Sequence, residues 1–534
     1  MNIQEMDLFD RTNVKVFSDR PENLNEILSN QLEAHADKQA LVTESHALSY
    51  EQLDNGATRI AAYLQKVCKI EKGDRVATLI GNRHHFPLVV FACMKLGAIM
   101  VPVNVKLSMD EIEYILDHSG VKALLAEDKY FSKVEGIRHH SESIIPPDNN
   151  LFVIDGANSF EKLLTYDYPL EKVSVNELDP AFILYTSGTT GRPKGAVLTH
   201  INVIHSLMNY QITFQTHQDM KTLIAVPMFH VTGLVGQLLH LIYVGGTSYS
   251  MERYQNKKYI DYILEYKVNF LFNVPTIFIM MATEEKFINN QFDFVTKVAF
   301  GGSPIYQNTF SMLKKAFPNA SLHNAYGATE TTSPATLMPV SYPETKVTSV
   351  GQAVPVADMK IVGGDGQLCN PGEAGEIYIK GPMVVKEYWR NREANEGNFT
   401  DGYWHSGDIG YIDEDGYVYV KDRKKDMINR GGEKIFSIEV EDVLKSHELI
   451  DEAAVVGVPD EVFGEKVKAF LVGSELGEAN VEDINHYCHS QLAKYKVPEV
   501  FEIIDELPRN ASGKILKKSL KESRGNGYVE KYVK

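Results

Sequence analysis

The sequence predicts an α/β protein with a large N-terminal domain of mainly parallel sheets flanked by helices, followed by a small α+β domain. Three observations lead to this prediction. The chain has 534 residues, more than one hydrophobic core normally serves. Its middle part alternates short apolar strands with helical stretches. After about Asp422 this alternation gives way to a different order of elements. The predicted domains span residues 1–424 and 425–534.

The strands predicted in the middle of the chain each end at glycine, proline or a polar turn. They are Ala181–Ser187, Thr222–Val226, Phe270–Val274, Lys297–Phe300 and Ser321–Ala325. Residues 233–243 and 257–267 lie between strands and have helical apolar spacing. In open α/β sheets, ligands bind beyond the carboxyl ends of the strands. The segments that follow the strands, TSGTTGRPKG, PMFH, GGSP and YGATE, are therefore expected to form the functional site.

The C-terminal part predicts a helix over 438–447, strands over 452–459 and 467–473, and a second helix over 481–493. The junction before it, VKDRKKDMINRGG, is highly charged and ends in two glycines. This composition is typical of a hinge or linker, although an ordinary solvated turn has the same composition.

Charge and hydropathy exclude two classes of protein. The chain has 54 Lys and Arg against 71 Asp and Glu, a net charge of −17, which opposes nucleic-acid binding. The one short basic run is Lys421–Lys425. Apolar runs such as Phe86–Cys93 and Phe182–Tyr185 are far shorter than the roughly 20 residues of a membrane-spanning helix. We therefore expect no nucleic-acid partner and no integral membrane segment.

The N-terminal residues carry acids where a signal peptide has basic residues, so a cytoplasmic location is expected. The four cysteines, Cys68, Cys93, Cys369 and Cys488, are scattered without metal-ligand spacing. We expect buried free thiols rather than disulfides or a zinc site.

Residues 185–195, YTSGTTGRPKG, combine four Ser and Thr hydroxyls, three glycines and two cations. Glycines let backbone N–H groups approach a polyphosphate, hydroxyls donate hydrogen bonds, and Lys194 adds a compact positive charge. The segment is not the common P-loop, because Pro193 stands five positions beyond Gly188 and Gly195 follows the lysine. The loop predicts phosphate binding and disfavours a P-loop kinase or ATPase.

Eight motifs occur in one order along most of the chain. They are YTSGTTGRPKGAVLTH (185–200), PMFHVTG (227–233), GGSP (301–304), NAYGATE (324–330), GEIYIKGP (375–382), YWHSGD (403–408), DRKKDMI (422–428) and PRNASGK (508–514). With these motifs the chain resembles the acyl-adenylate-forming, or AMP-binding, superfamily, which includes acyl-CoA synthetases, peptide-synthetase adenylation domains and beetle luciferases. It is most similar to the acyl-CoA synthetase and fatty-acid–CoA ligase branch. The resemblance implies ATP, Mg²⁺ and coenzyme A as cofactors and substrates.

The resemblance also implies a set of ATP-binding residues. Those expected around the phosphates are Thr186, Ser187, Gly188, Thr189, Thr190, Gly191 and Lys194. Gly301, Gly302, Ser303 and Pro304 are expected to flank the adenine, and Asp408 and Arg423 to contact the ribose, Arg423 also a nearby phosphate. The other expected ATP-binding residues are Asn324, Ala325, Tyr326, Gly327, Ala328 and Thr329. Glu330 is expected to hold Mg²⁺, which offsets the charge of the departing pyrophosphate.

The expected catalytic residues are Lys514, His230, Glu330 and Thr186. Lys514 also belongs to the ATP site, where it would bridge the substrate carboxylate and the α-phosphate. The acyl pocket is expected at His230, Val231, Gly233, Gly302 and Gly327, with His230 as an aromatic gate. The resemblance further implies that the small domain is mobile and rotates about Lys425, bringing Gly431, Gly432 and Glu433 to the path of CoA.

These expectations favour a medium- or long-chain fatty acyl-CoA synthetase that forms acyl-AMP and releases pyrophosphate. The runner-up is a stand-alone enzyme that loads a non-amino acid onto a carrier protein. An amino-acid substrate is disfavoured, because VTGLVGQLLHL after His230 contains no acid to pair with an ammonium group. The intact Lys514 and Glu330 disfavour a silent acyl-AMP-binding regulator, and a luciferase-like oxygenase is set aside only as less common. In acetate-selective relatives a Trp matches Gly327, so acids longer than acetate are expected. A homodimer is left open.

The role of Lys514 predicts that the two half-reactions can be separated. Lys514→Ala should nearly abolish acyl-adenylate formation, because the lysine stabilises only the first transition state. Thioester formation from supplied acyl-AMP should persist. Pyrophosphate exchange measures the first step, and a wild-type exchange rate in the variant would contradict the assignment.

Overall fold

The computed structural model describes residues 2–141, 143–156, 159–186, 192–303, 305, 307–474, 476–477, 480–509 and 515–522. The chain divides into two compact units. The first comprises Met1–Met359, Ile379–Trp404 and Gly416–Val418, and the second comprises Lys360–Tyr378, His405–Asp415 and Tyr419–Lys534. The predicted boundary between residues 424 and 425 stays a prediction, because compactness alone does not locate a point of rotation.

The strands are β1 (Ile3–Leu8), β2 (Arg11–Phe17), β3 (Gln39–Val42), β4 (Ala47–Ser49), β5 (Arg75–Leu79), β6 (Ile99–Pro102), β7 (Val121–Glu127), β8 (Leu151–Ile154), β9 (Pro180–Thr186), β10 (Lys194–Thr199), β11 (Lys221–Ile224), β12 (Thr247–Ser250), β13 (Phe270–Asn273), β14 (Lys297–Gly301), β15 (Ser321–Tyr326), β16 (Thr336–Leu337), β17 (Gln352–Ala353), β18 (Asp358–Val362), β19 (Gly375–Lys380), β20 (Phe399–Thr400), β21 (Tyr403–Ile412), β22 (Val418–Arg423), β23 (Ile428–Arg430), β24 (Glu433–Ile435), β25 (Glu452–Asp460), β26 (Gly464–Val472) and β27 (Val500–Ile503).

The α-helices are α1 (Leu24–His35), α2 (Tyr50–Lys66), α3 (His85–Leu96), α4 (Met109–Ser119), α5 (Asp128–His140), α6 (Glu161–Leu164), α7 (His200–Phe214), α8 (His240–Tyr243), α9 (Asn256–Tyr266), α10 (Pro275–Met281), α11 (Glu285–Ile288), α12 (Gln307–Ala316), α13 (Arg392–Asn398), α14 (Ser437–Lys445), α15 (Val481–Gln491) and α16 (Lys517–Glu522). A π-helix spans Thr232–Leu239, and short 3₁₀ turns span Asp148–Asn150, Thr329–Thr331, Glu344–Lys346 and Lys494–Lys496.

Two large sheets organise the first unit. Over the residues that the structure describes, one has six strands in the order β10-β9-β6-β5-β7-β8, and the other has nine in the order β17-β16-β15-β14-β13-β11-β12-β3-β4. The interior pairs of both sheets are parallel, and antiparallel pairs occur at the ends, as in β9 with β10. The predicted α/β class with mainly parallel sheets is confirmed.

The sequence located the middle strands to within one or two residues at each end. Successive side chains of these strands are buried, which is why they read as short continuous apolar runs. Phe278 of α10, Tyr259 of α9 and Phe300 of β14 belong to one core beside the larger sheet. A second core, with Ile112 of α4 and Leu124 of β7, lies beside the smaller sheet.

The second unit contains most of a sheet in the order β18-β19-β21, with β22 beside β21. Its C-terminal part has the predicted order of elements: α14, β25, β26 and α15. Here β25 and β26 form an antiparallel pair, β27 adds in parallel to β26, and α14 packs on β25. The prediction of a small α+β domain is confirmed.

The apolar run Phe86–Cys93 lies within α3, whose residues are almost all buried. No helix in the described part of the chain is long and apolar enough to cross a membrane. The four cysteines are free thiols, and Cys68, Cys93 and Cys488 are buried, whereas Cys369 is partly exposed.

Helix α7 follows directly from β10 and begins with a buried capping box. The Thr199 hydroxyl accepts the Asn202 N–H at 3.4 Å, and the Asn202 Oδ1 accepts the Thr199 N–H at 2.8 Å. The Asn202 Nδ2 also donates to the carbonyl oxygens of Pro382, at 2.6 Å, and Val384, at 3.1 Å. The cap therefore fixes the start of the helix and anchors a distant segment.

Removal of this cap should destabilise the first unit. Thr199→Ala is expected to lower the free energy of unfolding by about 1 kcal/mol, because the Asn202 N–H loses its acceptor. Thr199→Ser keeps the hydroxyl and serves as the control. Urea denaturation followed by near-UV circular dichroism measures both. Equal losses in the two variants would show that the methyl contact, not the cap, matters.

Candidate functional site

The glycine-rich loop joins two antiparallel strands, β9 and β10. Thr186 pairs with Lys194 in the strand register, and the Thr186 hydroxyl lies 3.4 Å from the Lys194 carbonyl oxygen. The two ends of the loop are therefore held together, as the cradle of a phosphate requires. Ser187, Gly188, Thr189, Thr190 and Gly191 lie outside the described residues.

Glu330 lies in the 3₁₀ turn Thr329–Thr331, just beyond the carboxyl end of β15. The side chain is half-buried, and its Oε1 accepts a hydrogen bond of 3.0 Å from the Tyr388 hydroxyl. The Nζ of Lys194 lies 5.3 Å from the centroid of the same tyrosine ring. The structure thus brings together Lys194 and Glu330, which are 136 positions apart, through one buried residue that the sequence had not indicated.

Two of the predicted ATP-binding segments lie at the ends of neighbouring parallel strands. Gly301 at the end of β14 pairs with Ala325 of β15. A Cβ on Gly301 would lie 2.3 Å from the Ala325 carbonyl oxygen, so only glycine allows this approach. The Asn324 Nδ2 donates to the Ser349 carbonyl oxygen at 2.9 Å. Gly302 and Ser303 follow directly, and Pro304 lies outside the described residues.

Gly327 does not have the left-handed backbone conformation that requires glycine. A Cβ there would lie 3.1 Å from the Ala335 nitrogen and from the Thr331 Oγ1, and 3.2 Å from the Pro334 Cα. A side chain at this position would therefore require Thr331, Pro334 and Ala335 to move by a few tenths of an ångström. Its role as an opening to the acyl pocket stays a prediction.

His230 ends a turn that begins at Pro227, with the His230 N–H donating to the Pro227 carbonyl oxygen at 3.1 Å. Its ring centroid lies 4.9 Å from that of Phe229. The Asn82 side chain braces this turn, because its Nδ2 donates to the Val226 carbonyl oxygen at 3.0 Å and its Oδ1 accepts the Met228 N–H at 2.8 Å. Asn82 was not predicted from the sequence, although it lies just beyond the end of β5, where functional residues of an α/β protein are expected.

A π-helix, Thr232–Leu239, follows His230 where the sequence pattern indicated an ordinary helix. π-Helical segments are rare and occur frequently at functional sites. A Cβ on Gly233 would lie 2.3 Å from the Pro227 carbonyl oxygen. The helix therefore starts in direct backbone contact with the turn that carries His230. Val231 lies between the two.

Within the second unit, the Asp408 Oδ1 and the Arg423 Nη1 form an ion pair at 3.0 Å, and Asp408 is 6% exposed. Lys424 is held by Glu376 at 2.8 Å, and this hydrogen bond raises the pKa of its ammonium group. Burial lowers the pKa of the next residue, Lys425. Asp408 and Arg423 are therefore in contact, as expected for two residues that are predicted to bind the same nucleotide.

Gly431 and Gly432 form the two-residue turn of the β23–β24 hairpin, in which Arg430 pairs with Glu433. Their φ angles are +61° and +97°, a conformation that side chains disfavour. The Gly431 N–H donates to the Phe463 carbonyl oxygen at 2.7 Å. The hairpin accounts for both glycines, and their role toward CoA stays a prediction. Lys514 lies outside the described residues.

Family comparisons agree with this geometry. Residues 28–389 match the AMP-binding enzyme family, and residues 439–514 match the AMP-binding enzyme C-terminal domain. The chain therefore belongs to the AMP-binding enzyme family, as the motifs indicated. It is an AMP-forming acid–thiol ligase, which acts on acyl or aryl acids through an adenylate.

Several curated relatives are similar over most of their length. A 2-succinylbenzoate–CoA ligase of Bacillus licheniformis is 34% identical over 92% of this chain and 98% of its own. A fatty acid–[acyl-carrier-protein] ligase of Streptomyces coeruleorubidus is 33% identical over 90% and 93%, respectively. A long-chain-fatty-acid–CoA ligase of Mycobacterium tuberculosis is 34% identical over 89% and 93%.

Among solved structures, o-succinylbenzoate CoA synthetase of Bacillus subtilis in complex with its acyl-adenylate has a TM-score of 0.85 and 31% identity, covering 96% of this chain and 100% of that one. The same synthetase has been solved with ATP and a magnesium ion; that structure has a TM-score of 0.82 and 31% identity and covers 94% of this chain and 100% of its own.

The contact between Gly233 and Pro227 predicts an effect on catalysis. Gly233→Ala must push the turn that carries His230, so turnover in the full ligase reaction should fall roughly ten- to a hundredfold. Gly397→Ala is the matched control, because a Cβ there has no neighbour within 4 Å. Thermal unfolding checks that both variants fold. Wild-type turnover of Gly233→Ala would show that the turn does not serve the reaction.

Proposed function

We propose that the protein is an ATP-dependent CoA ligase for monocarboxylic acids with an apolar tail, and that medium- or long-chain fatty acids are its substrates. The observation that carries this proposal is the segment after His230. Residues 231–239 contain no charged side chain, and Gly233–Leu239 are buried. A second carboxylate or an ammonium group on the substrate would lose several kcal/mol there without a partner.

The phosphate end of the proposed site consists of the glycine-rich loop, Lys194 and Glu330. Lys194 would offset the charge of the ATP phosphates while the substrate carboxylate attacks the α-phosphorus. Thr186 and the five loop residues after it would donate hydrogen bonds. Asp408 would accept hydrogen bonds from the ribose hydroxyls, and Arg423 lies beside Asp408.

Glu330 fits the predicted Mg²⁺ site. Its Oε1 is fixed by Tyr388, and its other oxygen accepts no hydrogen bond from the described residues. Mg²⁺ is usually bound by one or two carboxylates together with phosphates and water, so a single carboxylate suffices. Among the described residues no group of three His, Cys, Asp or Glu converges on a metal position. The ion would neutralise negative charge on the phosphates as pyrophosphate departs.

The second half-reaction requires that a thiol reach the acyl adenylate. We propose that residues 425–534 rotate about Lys425, which withdraws Lys514 and brings Gly431, Gly432 and Glu433 to the thiol. His230 would then act as the gate between the acyl pocket and the thiol path. Two half-reactions at one site explain why the chain has a separate C-terminal domain.

A second candidate is transfer of the acyl group to a carrier protein. The Streptomyces relative, which loads fatty acids onto acyl-carrier protein, is as similar to this chain as the CoA ligases are. The two candidates share the adenylation half-reaction and differ only in the thiol.

A panel of acids tests the proposal. Pyrophosphate release is measured with acetate, octanoate, palmitate, ferulate and 2-succinylbenzoate, each with CoA, with holo-carrier protein and with neither. Octanoate or palmitate with CoA should give the highest kcat/KM, since each buried methylene contributes about 0.8 kcal/mol. A preference for ferulate or 2-succinylbenzoate would overturn the fatty-acid assignment. Turnover with carrier protein alone would favour the second candidate.

A further inference from the structure

We infer that Tyr388 is a positioning residue that aligns Glu330 and Lys194 for the metal ion and the phosphates. This inference rests on the proposed roles of those two residues. Tyr388 is 2% exposed, and its hydroxyl donates to the Glu330 Oε1 at 3.0 Å. Its ring lies beneath the Lys194 ammonium group at 5.3 Å. One side chain thus contacts both the anion and the cation of the proposed phosphate end.

A neighbouring tryptophan fixes the direction of the hydroxyl. The Trp404 Nε1 donates to the Tyr388 oxygen at 3.2 Å, and Trp404 is itself buried. An indole N–H can only donate, and an ionised carboxylate can only accept. The tyrosine proton must therefore point to Glu330. The two hydrogen bonds therefore donate in the same direction, from Trp404 to Tyr388 and from Tyr388 to Glu330, and they hold one carboxylate oxygen in place.

The backbone around Tyr388 is fixed on two sides. On one side, the Trp389 N–H donates to the Gly195 carbonyl oxygen at 2.7 Å, next to Lys194. On the other, the Val385 N–H donates to the Glu330 carbonyl oxygen at 2.9 Å. The position of the tyrosine is therefore set by the same two segments whose side chains it contacts, and it cannot shift without moving both.

The buried Arg11 supports this segment from the N-terminal hairpin. Its Nη1 donates to the Val384 carbonyl oxygen at 3.0 Å and its Nη2 to that of Val385 at 2.6 Å. Burial lowers the pKa of this guanidinium to about 10, which still leaves it charged at neutral pH. Charged donors make the stronger hydrogen bonds. The segment that presents Tyr388 is thus held by hydrogen bonds to Arg11, Gly195 and Glu330, as a positioning role requires.

The two functions of Tyr388 can be separated by substitution. Tyr388→Phe removes the hydroxyl but keeps the ring beneath Lys194, whereas Tyr388→Leu removes both. Mn²⁺ serves as the probe in place of Mg²⁺, and its binding in the presence of a non-hydrolysable ATP analogue is measured by electron paramagnetic resonance. ATP-analogue binding is measured separately in EDTA, without any metal ion.

Tyr388→Phe should weaken Mn²⁺ binding about tenfold, the usual effect of removing a group that orients a metal ligand. Its affinity for the ATP analogue in EDTA should stay at the wild-type value. Tyr388→Leu should lose affinity in both assays. Tyr342→Phe is the matched control, because that tyrosine is half-buried and donates to the Leu322 carbonyl oxygen away from the site. Unchanged Mn²⁺ affinity in Tyr388→Phe would overturn the inference.

Glu330→Gln distinguishes this inference from the proposed function. If Glu330→Gln weakens Mn²⁺ binding but Tyr388→Phe does not, only the positioning role fails. If neither variant weakens Mn²⁺ binding, both the positioning role of Tyr388 and the metal role of Glu330 fail. Should Tyr388→Phe not fold, Trp404→Phe gives the test, because it removes the N–H that directs the hydroxyl. Mn²⁺ affinity must again fall, and an unchanged affinity would overturn the inference.

Discussion

Segment 384–389 is held between strand β10 and the turn that carries Glu330, and the arrangement of the proposed phosphate end depends on this contact. The Val197 N–H donates to the Glu387 carbonyl oxygen at 3.0 Å, so the segment continues the pairing of β10 on its open side. The contact joins residues about 190 positions apart. Its entropic cost is offset by backbone hydrogen bonds and by buried donors, among them Arg11. Lys194, Tyr388 and Glu330 become neighbours as a result.

Two of the motif glycines are required because the backbone packs closely against them, not because they have a backbone conformation that only glycine adopts. Gly301 faces the Ala325 carbonyl oxygen, and Gly233 faces that of Pro227, each at a position where a Cβ would lie 2.3 Å away. Gly301 lies at the carboxyl end of β14 beside β15, and Gly233 lies in the helix that packs on the turn following β11. Glycine therefore allows close backbone packing at the carboxyl ends of these strands, the edge at which an α/β protein binds its ligand.

The net charge of −17 is compatible with anionic substrates because the proposed site is locally different. Lys194 lies against a tyrosine ring, and Arg423 is held by the buried Asp408. Cations held by such neighbours act over a few ångströms, whereas the scattered surface acids are screened by salt within about 8 to 10 Å. The net charge therefore does not describe the proposed site, whose chemistry depends on individual residues.

The sequence by itself determined the fold class, the positions of the middle strands and the family, because buried parallel strands leave short apolar runs and phosphate loops need glycines and hydroxyls at fixed spacing. It also indicated Lys194, Glu330 and Asp408 through their motifs. Only the tertiary structure decided what orients them. Tyr388 acts through contacts with Glu330 and Trp404, 58 and 16 positions away in the chain, which the sequence pattern did not indicate. Asn82 was recognisable only by its place beyond the end of β5. The π-helix after His230 was likewise beyond prediction, because it differs from an α-helix in hydrogen bonding rather than in apolar pattern. Its close backbone contact with Pro227 exists only in the folded chain.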